Sequence, residues 1–312
     1  VARINELSAL GALGLLLSLS VVAATPSDYV ASVERARSAR VEQLRQMDGY
    51  LTLTASGWLE PGANSVGSAA DNRFAVPGAP AHLGVLQMAA DGQVSLHLAD
   101  TRGITVDGAS AASANALRTQ GSDGKQQPTR VGFGSSYLYV IENGAQRGLR
   151  VKDNDASLRT HFPGLDYFPI DRSWRIEADW VPFTPPHTLK IAYVTGIEGD
   201  VSIAGKAVFQ RDGQTYELLP IDEDGQLFFV FSDRTAGKLT YGGARFLYAA
   251  APKDGKVVLD FNLAQNPPCA ITPHVVCPLA PPENRLKLSV TAGETKFRGH
   301  DIDPGAAAVS VP

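Results

Sequence analysis

The chain has 312 residues, with 28 Lys and Arg against 32 Asp and Glu and a formal charge of −4. At 44% hydrophobic and 19% charged residues it can bury a substantial core, which excludes global disorder. The near-neutral charge balance argues against a nucleic-acid binder, which needs a basic patch to neutralise phosphates, and two cysteines exclude a disulfide-dense scaffold, an iron–sulfur cluster or a four-cysteine zinc site. Thirty Gly and 20 Pro point instead to many turns and few long helices.

Residues 1–24 read as a secretory signal peptide. Arg3 supplies a positive start, Leu10 to Ala23 an apolar stretch too short for a comfortable membrane span, and Val22-Ala23-Ala24 small residues for a peptidase. The alternative is an uncleaved anchor, disfavoured because Thr25-Pro26 follows at once with turn chemistry. The expectation is an exported protein, periplasmic or extracellular, with no stable membrane span after cleavage. In such an oxidising space Cys269 and Cys277, which enclose seven residues, are expected to pair as a disulfide.

One helix is expected over 25–50, packed on the β domain. Thr25 is its N-cap and Pro26 its first residue, Val30, Val33, Val41, Leu44 and Met47 recur at helical spacing, and Gly49 is its stop. Arg35, Arg37, Arg40 and Arg45 then read as a solvated face rather than a partner surface.

From Leu51 the period changes to two. Val94 to Leu98, Trp174 to Ala178 and Leu286 to Val290 alternate, and Leu227 to Phe231 is a continuous apolar run, as a strand buried on both faces would be. Asp91-Gly92, Asn143-Gly144, Asp212-Gly213, Asp224-Gly225 and Asp254-Gly255 punctuate the strands with hairpin chemistry. The expected fold is mainly β: an antiparallel β-sandwich or barrel-like domain with one N-terminal α-helix. Residues 107–128, rich in small and polar residues, are expected to form a loop or weak hairpin, and 301–312 a flexible tail.

Several motifs resemble the bacterial and archaeal family known as domain of unknown function 1684. They are Gly57-Trp58-Leu59-Glu60-Pro61-Gly62-Ala63-Asn64, Phe162-Pro163-Gly164-Leu165-Asp166-Tyr167-Phe168-Pro169, and a C-terminal block. That block runs from Asp233 through Thr240-Tyr241-Gly242 and Arg245-Phe246-Leu247 to Leu259-Asp260-Phe261-Asn262. It continues with Asn266-Pro267-Pro268-Cys269-Ala270 and ends at Ala292-Gly293-Glu294. The resemblance spans about Ser27 to Phe297 and implies one β-rich domain over 51–300; it brings no activity, cofactor or catalytic residue. The chain departs from the pattern at Tyr50, usually Trp, at His274, usually an aromatic, and in the longer 107–128 segment.

The segment from Asp260 to Arg285 carries the candidate site. Six prolines between Pro267 and Pro282 preclude a helix or central strand, so the chain runs there as an ordered irregular loop. Tyr241, Arg245, Asp260, Asn262, Asn266 and Arg285 either line a pocket for a small anionic or sugar-like ligand or satisfy backbone groups that the loop leaves without ladder partners. Asn and Asp beside Gly and Pro are ordinary turn builders, which favours the second. Cys269, His274 and Cys277 have irregular spacing and no evident fourth ligand for zinc, so no metal or cofactor is expected. The chain contains no Gly-x-Ser-x-Gly elbow, His-Glu-x-x-His motif or P-loop. The leading expectation is small-ligand binding. The alternatives are a hydrolase using Asp260 or Glu294 as general base, or a structural component of the envelope.

Overall fold

In a computed structural model, residues 26–121, 126–193, 198–223 and 225–299 are described. The leader over 1–24, the Thr25 cap and the tail over 301–312 lie outside them. Among the described residues the fold is mainly β, with antiparallel sheets and one long helix at the N-terminal end, as the patterning predicts. No helix among them is long and apolar enough to cross a membrane.

Helix α1 spans Pro26–Leu44 and is shorter than the expected 25–50. Tyr29, Val33 and Leu44 are buried, whereas Met47, counted on the apolar face, is 58% exposed beyond the last turn. Leu44 is the last side chain of the helix to reach a core, with Leu51, Leu158, Phe162, Ile271 and Phe297.

The first group of strands opens with β1 (Leu53–Trp58), β2 (Gly62–Gly67), β3 (Phe74–Ala75), β4 (Gly84–Met88) and β5 (Val94–Leu98). It continues with β6 (Ile104–Val106), β7 (Ala109–Ser110), β8 (Ala114–Leu117) and β9 (Thr119–Gln120). Then come β10 (Val131–Phe133), β11 (Ser136–Asn143) and β12 (Gln146–Asp153). They make one sheet in the order β1-β12-β11-β10-β6-β7, with β9 beside β11, and another in the order β3-β2-β4-β5-β8. Inward residues of both, among them Val66, Leu86, Leu96, Val131, Leu138 and Val151, form one core. The 107–128 segment is therefore not a plain loop: β8 extends the second sheet by pairing Ala114–Leu117 with Val94–His97. The apolar side chain in that segment with somewhere to go is Leu117, which is buried in this core.

The second group comprises β13 (Arg175–Ala192), β14 (Glu198–Arg211), β15 (Gln214–Leu218), β16 (Ile221–Glu223), β17 (Gln226–Phe231), β18 (Arg245–Ala250) and β19 (Lys256–Asp260). They form a four-stranded sheet, β15-β14-β13-β19, and a three-stranded sheet, β16-β17-β18. Their shared core contains Trp174, Phe209, Phe229, Phe231, Leu247, Leu259 and Phe261. The run over Leu227–Phe231 is buried throughout, as a strand covered on both faces must be.

Two details depart from the patterning. Asp254-Gly255 makes only a one-rung hairpin, Lys253 against Lys256, and passes the chain from β18 into the other sheet. Leu286 to Val290 keeps its alternation, with Leu286, Leu288 and Val290 buried in the core, yet forms no ladder strand. It makes two backbone bonds to the chain after β17, Leu286 N–H to the Ser232 carbonyl and Arg234 N–H to the Leu288 carbonyl, while Val290 N–H donates to Asp233 Oδ1 and the Val290 carbonyl accepts from Arg245.

Candidate functional site

The segment after β19 turns sharply because Asp260 Oδ1 accepts from the backbone N–H of Asn262 at 3.1 Å, capping the short 3-10 turn Phe261–Leu263. Asn262, fully buried, ties three parts of the chain together. Its Nδ2 donates to Tyr29 Oη at 2.9 Å and to the Asp171 carbonyl at 2.8 Å, and its Oδ1 accepts from Asp171 N–H at 3.0 Å. Tyr29 Oη in turn donates to Asp260 at 3.0 Å, which docks the start of α1 on this turn. Burial, followed by the Asp260 charge, pushes the Tyr29 phenol well above its usual range.

Further along, Gly293 sits at φ 81°, with the carbonyls of Ala264 and Phe261 pressed against it at 2.4 and 2.7 Å from where a Cβ would stand. No side chain fits there, and that close approach brings Glu294 under the helix. Glu294 is 1% exposed. It accepts from Asn266 N–H at 2.7 Å and lies 3.4 Å from Arg40 Nε. Burial raises its carboxyl above the usual carboxylate range, opposed by Arg40.

A cavity of about 510 Å³ opens between α1 and this segment, lined by Arg37, Arg40, Tyr167, Tyr248, Gln265 and Glu294 among others. Arg37 Nη2 donates to the Phe168 carbonyl at 3.2 Å, and its guanidinium lies 4.3 Å from the centre of the Tyr167 ring. It has no carboxylate within 4 Å among the described residues, and burial lowers its proton affinity. Two buried polar atoms on residues that line this cavity, Arg37 Nε and Tyr167 Oη, have no hydrogen-bond partner among the described residues.

The six residues proposed from sequence do not form one pocket. Asp260, Asn262 and Asn266 gather beneath α1, and Asn262 lines the cavity. Arg245 does not act as a clamp: it is 1% exposed, paired with Asp233, and donates to the carbonyls of Ala292 and Val290. Tyr241 is half-buried against Cys269. Arg285 is exposed, with its Nε donating to the Ala280 carbonyl at 3.1 Å. The two cysteines are free thiols brought together, with Cys269 N–H 3.2 Å from Cys277 Sγ. Among the described residues no three His, Cys, Asp or Glu side chains converge as a metal site would require.

Patterning missed the helix arginines. Arg37 and Arg40 face the protein rather than water, and the signal was present in their spacing. Val33, Arg37, Arg40, Val41 and Leu44 follow i, i+4, i+7, i+8, i+11, one stripe of a helix. Long arginine side chains can lie along such an apolar stripe and still reach polar groups beyond it.

Residues 160–295 match the model of a family described as "Protein of unknown function (DUF1684)". No curated protein matches the chain. Among solved structures, the solution NMR structure of an uncharacterized protein of Haloarcula marismortui is 33% identical, covering 44% of this chain and 78% of that one, with a TM-score of 0.37.

Proposed function

The chain belongs to the DUF1684 family of unknown function, and from that premise we propose that it binds a small anionic or sugar-like ligand in the cavity beneath α1. The observation that carries this reading is Arg37. A half-buried guanidinium without a carboxylate beside it is costly, and a ligand carboxylate or phosphate would supply the charge-assisted bonds it lacks. The unpartnered hydroxyl of Tyr167, on the same cavity, adds a group suited to ligand hydroxyls.

Calorimetry with glucuronate and glucose 6-phosphate, against glucose and inorganic phosphate, tests it. Binding of a charged sugar that Arg37→Met weakens about tenfold or more supports the reading. Equal affinity in the variant removes it.

A second reading, a hydrolase with Glu294 as acid–base residue, draws on one observation: this carboxyl lines the cavity and burial raises its proton affinity. Asp260 is a weaker candidate, since Tyr29 and Asn262 already occupy it. Hydrolysis of nitrophenyl glycosides lost in Glu294→Gln would favour this alternative.

We also propose that residues 1–24 direct export to a periplasmic or extracellular space, on the apolar stretch and small residues described above. Fractionation of expressing cells, with the N-terminus of the mature protein sequenced, tests this.

A further inference from the structure

A second cavity, of about 430 Å³, is built from different residues. Its floor is the outward face of the β1–β12 pair. Ala55, Leu149 and Val151 point into the core of the first sheets, so by alternation Ser56, Trp58, Gly148 and Arg150 share the other face. The register places Ser56 opposite Arg150 and Trp58 opposite Gly148. Gly148 leaves room for the Trp58 ring, since a Cβ would stand 3.1 Å from it, tighter than an ordinary contact. The roof is Pro273, His274, Val275 and Val276, inside the loop that Cys269 and Cys277 bracket. His274 is buried, and its Nδ1 lies 3.3 Å from Ser56 Oγ, joining roof to floor.

The carboxylates of this lining are already engaged, Lys190 being shared with Asp200, whereas Arg150 pairs with none of them. Glu142 is paired with Arg147 at 3.3 Å and Glu198 with Lys190 at 3.8 Å. Arg150 stands beside Tyr139 in the β11–β12 register and has no carboxylate within 4 Å among the described residues. The Trp58 ring, unlike that of Trp174, has no aromatic or cationic ring partner among the described residues. A cation, an unstacked indole and apolar walls from Ile141, Val275 and Val276 therefore face one space. Pockets at the junction of two packed units, apolar with a few convergent polar groups, are where small molecules bind.

We infer that this cavity is a second binding site, specific for a small aromatic anion whose ring lies on Trp58 and whose carboxylate or phosphate pairs with Arg150. Ser56 and His274 supply the neighbouring hydrogen-bonding positions. The site shares no residue with the cavity beneath α1.

Phenyl phosphate is the probe, followed by calorimetry on the whole chain, with inorganic phosphate and benzyl alcohol as controls. The expected result is saturable binding of phenyl phosphate, tighter than either control. Arg150→Met should weaken it about tenfold or more, and Val276→Trp, which fills the space from the roof, should abolish it. The two substitutions lie in different parts of the chain, so if one fails to melt like the parent protein the other still decides. Arg37→Met should leave this affinity unchanged while weakening an anionic ligand of the first cavity about tenfold or more, which separates the two readings. Binding that survives both Arg150→Met and Val276→Trp, phenyl phosphate no tighter than inorganic phosphate, or no binding at about millimolar probe would each overturn the inference.

Discussion

Arg245 and Asp233 form an ion pair in which each side chain is 1% exposed. The carboxylate also accepts from the N–H groups of Thr235 and Val290, and the guanidinium donates to Val290 and Ala292. The pair therefore stitches β18 to the buried C-terminal segment, replacing the ladder that this segment lacks. Removing one partner leaves the other charge buried alone, so Arg245→Met should cost about 3–5 kcal/mol in urea denaturation. Adding Asp233→Asn, which keeps an acceptor but not the charge, should recover part of that loss. A single variant as stable as the parent would show that the pair does not hold the segment.

Tyr29 and Asn262 anchor α1. Tyr29→Phe deletes the hydroxyl that bridges Asp260 and Asn262, and the expected loss is about 1–2 kcal/mol. Limited trypsin digestion is the sharper readout. Cleavage at the α1 arginines should accelerate in the variant while the β sheets stay intact.

Glu294 makes stability depend on pH. Its carboxyl is raised in the fold, so the folded chain holds a proton that the unfolded chain has released. Stability contributed by this group is therefore fully present below the ordinary glutamate range and declines as pH rises from there through the raised folded value. Glu294→Gln should flatten this part of the stability–pH curve. Denaturation midpoints from about pH 4 to pH 8 would check it, and an unchanged slope would rule out Glu294 as its source.

Cys269 should be the more reactive thiol. Hydrogen bonds from Cys277 and Tyr241 lower its proton affinity, whereas the Cys269 contact and burial raise that of Cys277. Iodoacetamide at neutral pH should label Cys269 first, and Tyr241→Phe should slow that labelling. Exposure to a disulfide oxidant should convert the pair to an intramolecular disulfide, seen as loss of two hydrogens by mass spectrometry. Such a clip would stabilise the fold by about 2.5 kcal/mol in the chain-entropy model. Persistence of two free thiols under strong oxidant would show that the pair cannot close.

Much of the fold was legible because periodicity is a local property. Alternation marked β5 and the start of β13, a continuous apolar run marked β17, and aspartyl- or asparaginyl-glycine pairs marked the β4–β5, β11–β12 and β14–β15 hairpins. The same local logic read 107–128 as a loop or weak hairpin, which fits the short β6–β7 pair but missed β8, because such a strand is defined by the partner it pairs with rather than by its own composition.

For the candidate site, the sequence alone pointed to the prolyl loop from Asp260 to Arg285, since so many prolines cannot enter a ladder and the polar residues beside them must satisfy or bind something. Only the tertiary structure separated those roles. It buried Arg245 against Asp233, pinned Asn262 between Tyr29 and Asp171, and brought Arg37 and Arg40 from more than 220 residues away onto the same segment. A charged side chain reads identically in sequence whether it is a strut or an open ligand contact. The difference is whether a carboxylate lies beside it in the folded chain, and long-range packing decides that.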